Sequence, residues 1–289
     1  VYEFPELQGI IGRYYADYSG EDPEVCLAIK EHYRPTFSKD DPPSSPLGSI
    51  VSIADKLDTI LGCIGVGLIP SGSEDPYGLR RHSLGIIQIV LNQGWQVSLD
   101  KLIEKGISLL KEKTKLTSDE VRMHTLDLFS QRYKTLLSDQ DYPYDAVDAV
   151  LSADIDSLAD VKQKVIAFSD LKKQPYYEPL AIAFRRVVSI LNEESDGDVQ
   201  INLLKEPAEK KLYNEYQRIK EPVENHLRRK QFPQALEKIV EIKETVDEFF
   251  DHVMVMVEED ALRINRLRLL KQISLLFSNI ADFSKIVLK

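Results

Sequence analysis

Apolar residues recur along this chain at intervals of three and four, and alternating runs of β-branched residues are few, so the pattern predicts helices throughout and almost no sheet. The clearest stripe is at the end of the chain. Leu262, Leu269, Ile273, Leu276, Ile280 and Val287 predict one helix over about 260–286, packed along one side. Before it, helices are expected over 178–192, 207–229 and 233–250, so that a helical bundle begins near Tyr177. A connecting set is expected over 118–137, 145–152 and 157–172. The first region, to about 115, alternates short helices with the loops PTFSKDDPPSSPLGS (35–49) and IPSGSEDPYG (69–78). In the second loop Asp75 suits an N-cap with Pro76 at the first helical position, and a helix then runs to about Asn92 before Gly94 stops it.

Composition adds limits. A chain of 289 residues, 43% hydrophobic and 29% charged, has room for two ordinary domains and is not of disordered type. Cys26 and Cys63 stand singly in apolar stretches without a CxxC spacing, and read as reduced core residues of a cytosolic protein. No apolar run approaches the ~18 residues that span a bilayer. No signal peptide is evident either, so a membrane partner is not expected. The chain opens on VYEFPELQGIIGRYY, which reads as the middle of a segment, and a longer parent protein is expected. A net charge of −10 argues against coating DNA or RNA through bulk positive charge, but leaves room for a local RNA site built on a few Arg and Lys.

Three constellations carry candidate chemistry. His32 in IKEHYRP, with Asp55 and Asp58 in SIADKLDTI, offers an imidazole and carboxylates of the kind that bind a metal for phosphoester hydrolysis. The order resembles HD-type phosphohydrolases. The adjacent His-Asp pair that defines them is missing, and Phe4 to Gly9 supplies only Glu6, so the set is a degenerate site in which no metal or catalysis is expected. Asp55 and His32 then read as hydrogen-bonded groups that join helices. The loop 71–81 runs into a helix start with Arg80 and Arg81 one turn in, suited either to a phosphate or to structural salt bridges, with Glu74 and Asp75 opposing an anion. Arg263, Asn265, Arg266 and Arg268 cluster at the start of the last helix. Helical spacing points Arg263 and Arg268 away from the apolar stripe, whereas Arg266 lies at its edge and is expected to pair internally with a residue such as Asp251.

The remaining features read as structural. Met254 and Met256 are expected to fill the core. His82, His124, His226 and His252 have no partners at ligand spacing. Trp95 is expected to anchor the junction after its helix rather than to stack a base, and the basic run 226–230 to end a helix where cations suit the dipole, with a phosphate contact as the alternative.

Four motifs, FPELQGIIGRYYA (4–16), AIKEHYRP (28–35), IADKLDTI (53–60) and IPSGSEDPYGLRR (69–81), in this order and spacing, resemble the β subunit of bacterial and plastid glycyl-tRNA synthetase. AIAFRRVVSIL (181–191) and FFDHVMVMVEEDALRINRLRLL (249–270) are similar to the helical anticodon-binding domain shared with arginyl-tRNA synthetase. The resemblance implies an all-α chain: an HD-like helical domain over 1–116, a helical linker over 117–176 and an anticodon-binding bundle over 177–289. It also implies a cytoplasmic bacterial protein that binds glycine tRNA and assembles with an α subunit as α2β2. ATP and Mg belong to the α subunit, and no cofactor or catalytic residue is expected in this chain. Arg80, Arg81, Arg186, Arg263, Asn265 and Arg268 are the expected tRNA contacts. Competing expectations are an HD-type hydrolase, a helical scaffold without RNA, and a piece of another anticodon-binding synthetase.

Overall fold

Helix α1 (Ile10–Tyr18) opens an all-helical architecture in which most starts and stops can be traced to a cap, a proline or a glycine. The computed structural model describes residues 3–287 apart from 73, 111, 112 and 192–194. Among these residues there is no β-strand, only the isolated bridges Ser71–Glu74 and Ser98–Ser157. The chain divides into two compact units, Val1–Asp139 with Ile155–Ala159, and Gln140–Asp154 with Asp160–Lys289.

The first unit holds α1, α2 (Pro23–Glu31), α3 (Pro46–Gly65), α4 (Leu79–Gln93), α5 (Leu99–Leu110) and α6 (Ser118–Ser138). Its centre is α3. Ser45 caps it by accepting from the Gly48 N–H at 3.0 Å, and Pro46 occupies the first turn, where no N–H is needed. Ile53, Leu57, Ile60, Leu61 and Ile64 then form its buried stripe against α4, α5 and α6. Helix α5 lies close to α3 because residue 106 is glycine: a Cβ there would overlap Leu61 Cδ1. Helix α6 starts on a capping box, with Thr117 Oγ1 accepting from the Glu120 N–H and Glu120 Oε2 accepting from the Thr117 N–H. Both cysteines are free thiols; Cys26 is buried, whereas Cys63, expected in the core, is only half-buried on α3.

The second unit holds α7 (Tyr144–Ala153), most of α8 (Leu158–Leu171), α9 (Tyr177–Ser189), α10 (Pro207–Arg228), α11 (Phe232–Val240), α12 (Lys243–His252) and α13 (Asp260–Ser278). Its core is aromatic. Phe184 stacks on Phe277 with centroids 4.5 Å apart, and Phe283 meets both edge-on at 5.2 and 4.9 Å, geometries that add to plain area burial.

Three expected elements differ in shape. The helix expected over 233–250 is two helices, because the chain tightens between them: the Glu241 and Ile242 N–H groups donate to the carbonyls of Lys238 and Ile239, three residues back instead of four. The last helix ends at Ser278 rather than near 286. The chain turns there so that the Asp282 N–H donates to Ala149 O at 2.8 Å, and a short 3₁₀ turn over Phe283–Lys285 delivers Phe283 to the core. Val287, expected on the buried stripe, is therefore exposed. Helix α4 begins at Leu79, three residues later than a cap at Asp75 followed by Pro76 implies. Asp75 still serves the helix start, accepting from the N–H groups of Leu79 at 2.7 Å and Arg80 at 3.0 Å.

Candidate nucleic-acid interface

In the first unit, α2, α3 and the segment between them build a polar cluster whose centre is Lys56. This lysine falls on the buried stripe of α3 and is 2% exposed. Its Nζ donates to the carbonyls of His32, Tyr33 and Arg34 at 3.2, 3.2 and 3.0 Å and to Ser52 Oγ at 2.8 Å. Burial lowers its pKa to about 8, against the opposing pull of the Asp55 and Asp40 carboxylates. The segment 32–34 is thus tied to α3 through a cation and main-chain oxygens.

The degenerate HD-like set does not converge on a metal position. His32 places Nδ1 on the Ile29 carbonyl at 2.8 Å and its ring beside Tyr33. Asp55 and Asp58 are exposed on α3. Among the described residues no group of three or more His, Cys, Asp or Glu could hold a metal ion.

A second polar knot lies at the start of α3. Glu31, at the end of α2 and 5% exposed, accepts four hydrogen bonds, two from N–H groups and two from hydroxyls, all from Ser44 and Ser45 at 2.7–3.2 Å. Burial raises its pKa, but these donors outweigh burial and hold the carboxyl below the usual glutamate value.

The loop 71–81 presents Arg81 as an exposed side chain and Arg80 as a half-buried one whose Nη1 donates to Glu74 O at 3.4 Å. The N–H groups at the start of α4 that a phosphate would use are held by Asp75. Any anion contact here falls to the guanidinium groups. His82 Nδ1, one residue on, is buried without a hydrogen-bond partner among the described residues. Its pKa is lowered by burial and then by the positive charges of Lys56 and Arg81.

In the second unit the basic cluster on α13 is largely occupied. Asn265, 2% exposed, accepts from the Gln200 N–H at 2.7 Å and donates to Gln200 O at 3.1 Å. Its amide clamps the loop before α10, and it is therefore not presented to a ligand. Arg268 Nε donates to Asp196 O at 2.9 Å. Gly197, at φ +116°, permits this approach, since a Cβ there would lie 2.9 Å from that same nitrogen. Arg263 is half-exposed and pairs with Asp260 at 2.8 Å. Arg266 pairs internally as expected, but with Glu209 at 2.5 Å rather than with Asp251, and its Nη1 donates to Met254 O at 3.0 Å. Glu209 is fully buried and also receives the Glu206 N–H at the start of α10.

Arg186 is exposed on α9, with its guanidinium carbon 4.4 Å from the centroid of the Phe250 ring on α12. Met254 and Met256, expected in the core, are instead 74% and 54% exposed. The intervening Val253 and Val255 are the buried members of this stretch. Burial alternates along 253–256, with both valines turned inward and both methionines outward.

Sequence reasoning passed over Lys56, Glu31 and Glu209. A signal for Lys56 was present, because a lysine three residues after Ile53 and four before Ile60 sits inside the apolar stripe of its own helix. Glu209 carried the same kind of signal, three residues before Leu212 on the apolar stripe of α10, whereas Glu31 gave none, since its partners Ser44 and Ser45 lie beyond its helix.

Known proteins match nearly the whole of this architecture. Residues 1–152 match the family model of the glycyl-tRNA synthetase beta subunit, and residues 180–286 match that of the DALR anticodon binding domain. Over 284 residues, 98% of this chain, it is 45% identical to the glycine-tRNA ligase beta subunit of Trichlorobacter lovleyi. Over 285 residues it is 44% identical to that of Syntrophus aciditrophicus, and over 256 residues 47% identical to that of Geobacter sulfurreducens. The chain spans 41% of the length of the first two relatives and 37% of the third. With a family model covering more than half of its residues, the chain belongs to the glycyl-tRNA synthetase beta-subunit family and carries a DALR anticodon-binding domain.

Proposed function

We propose that this chain is a tRNA-binding part of a glycine-tRNA ligase, acting on glycine tRNA and its anticodon while glycine activation and transfer with ATP and Mg take place on an α subunit. The observation that carries the reading is the match of 180–286 to an anticodon-binding family, falling on a helical unit with Arg186 exposed and Arg263 and Arg268 half-exposed. Arg80 and Arg81 supply tRNA contacts from an HD-like domain over 1–116, which a helical linker over 117–176 follows. Asn265 drops out of the contact set because its amide is engaged by Gln200.

The division of labour gives the chain a mechanistic role without a reacting group. Contacts to tRNA far from its acceptor end hold that end in position, so they affect turnover as well as affinity. Phosphates fall to the arginines, and unpaired bases to stacking and edge hydrogen bonds. The chain is expected to be inactive in aminoacylation alone, and to act in a bacterial cytoplasm within an α2β2 assembly. No helix among the described residues is long and apolar enough to cross a membrane.

Binding of the chain to glycine tRNA, against the same tRNA with a replaced anticodon and at two salt concentrations, tests the reading. Preference for the native anticodon supports it; equal affinity for both, or binding to neither at low salt, overturns it.

A further inference from the structure

We infer that Arg186 on Phe250, together with Met254 and Met256, forms a platform on which unpaired bases of the RNA stack. This rests on the reading of the second unit as a tRNA binder and specifies how it holds a base.

The platform is assembled by three features. The Arg186 guanidinium lies 4.4 Å from the Phe250 centroid, which fixes one of its planar faces and leaves the side chain exposed. A guanidinium plane is a surface on which RNA bases stack. Four residues beyond Phe250 the chain begins to present two methionine side chains to solvent, 74% and 54% exposed. Thioethers are polarizable, make favourable contacts with aromatic rings and adapt to their shape. The loop is also held from beneath: Val253 and Val255 are buried, and the Met254 carbonyl accepts from Arg266, itself paired with fully buried Glu209. An anchored loop loses less freedom when a ligand arrives.

Charge decides which part of an RNA fits. Asp251, Glu258 and Glu259 flank the methionines and are exposed, whereas Asp260 is paired with Arg263, so a backbone phosphate is repelled beside the methionines. The face of a base carries no net charge and is not. An unpaired base is therefore the occupant, and the match of 180–286 to an anticodon-binding domain supplies a source of such bases.

The chain contains three methionines, and the third, Met123 on α6 of the other unit, is 56% exposed. It serves as an internal control. The 289-residue chain is oxidised briefly with dilute peroxide, alone and with saturating glycine tRNA or its anticodon stem-loop, and each methionine is followed by mass spectrometry. The expected result is that the stem-loop slows oxidation of Met254 and Met256 severalfold and leaves Met123 unchanged. A fully paired hairpin stem gives no such protection. Separately, Met254→Ala with Met256→Ala, both on exposed side chains, weakens stem-loop binding roughly tenfold, and Phe250→Leu does so with no change in salt dependence. Replacing the stacked nucleotide by an abasic one weakens the wild-type chain by a similar factor and leaves the double variant unaffected. If the chain binds tRNA while all three methionines oxidise at unchanged rates, or if the paired stem protects equally, the platform is wrong and the tRNA reading survives. If the chain binds no tRNA, the reading itself fails and the platform with it.

Discussion

Each unit buries a cation on the apolar stripe of a central helix, and each solves the desolvation problem differently. Lys56 in α3 is surrounded by neutral oxygens, three carbonyls of residues 32–34 and the Ser52 hydroxyl. Arg266 in α13 has a fully buried carboxylate, Glu209, and one carbonyl. Neutral dipoles do not fully replace water around an ammonium, so the Lys56 pKa falls to about 8. A buried ion pair has mutual attraction that one partner alone lacks, and is sensitive to the loss of either. One residue pattern, a cation within an apolar helical stripe, thus produces a main-chain clamp in one unit and an ion pair in the other.

The largest expected effect comes from breaking the pair. Glu209→Leu leaves Arg266 buried without its partner and should destabilise the second unit by about 3–5 kcal/mol in chemical denaturation. Adding Arg266→Met should recover most of that loss; a double variant no better than the single one would deny that the pair is a unit. Lys56→Met should cost the first unit about 3 kcal/mol by leaving the carbonyls of His32 and Tyr33 without a donor, whereas Arg34 O keeps the Ser52 hydroxyl at 2.6 Å. This cost depends on pH. The Lys56 pKa is lower in the folded chain than in the unfolded one, so between about 8 and the ordinary 10.5 the unfolded chain binds more protons and the wild-type gains stability as pH rises. The gap between wild-type and Lys56→Met should therefore widen across that window, and a gap independent of pH would mean that Lys56 is not charged and buried as described.

Glu31→Gln tests another buried charge, held by four donors. It should cost about 2 kcal/mol at neutral pH. Because the folded pKa lies below 4.5, the contribution of Glu31 is present above that value and is lost as pH falls through the folded one, so the two proteins should converge in acid. The smallest effect is expected from Asn265→Ala, about 1 kcal/mol, since Gln200 is exposed and water can replace the amide. Its effect on tRNA affinity should be correspondingly small; a loss as large as that of Arg186→Ala would return Asn265 to the interface.

Much of the architecture was legible because helices carry their own punctuation. Thr117 with Glu120 set the start of α6, Pro207 that of α10, and Gly94 the end of α4, and each is a local interaction within a few residues. The candidate site was less legible. Helical spacing separated Arg266 from Arg263 and Arg268 correctly, but it said nothing of the loop that Asn265 and Arg268 hold, because residues 196–200 are far from them in the sequence. The Met254 and Met256 pair misled for a related reason. Methionine is usually core, and only the course of the chain after α12 decided that the valines go inward and the methionines outward.

By itself, the sequence determined the all-helical class, most helix boundaries and, through four motifs in order, the family. These depend on caps, periodicity and local spacing, which are properties of neighbouring residues. Tertiary structure decided where buried charges find their partners, where α13 stops so that Phe283 can enter the aromatic core, and which side chains remain on the surface. Those outcomes depend on what another helix presents at the point of contact, and no local pattern encodes that.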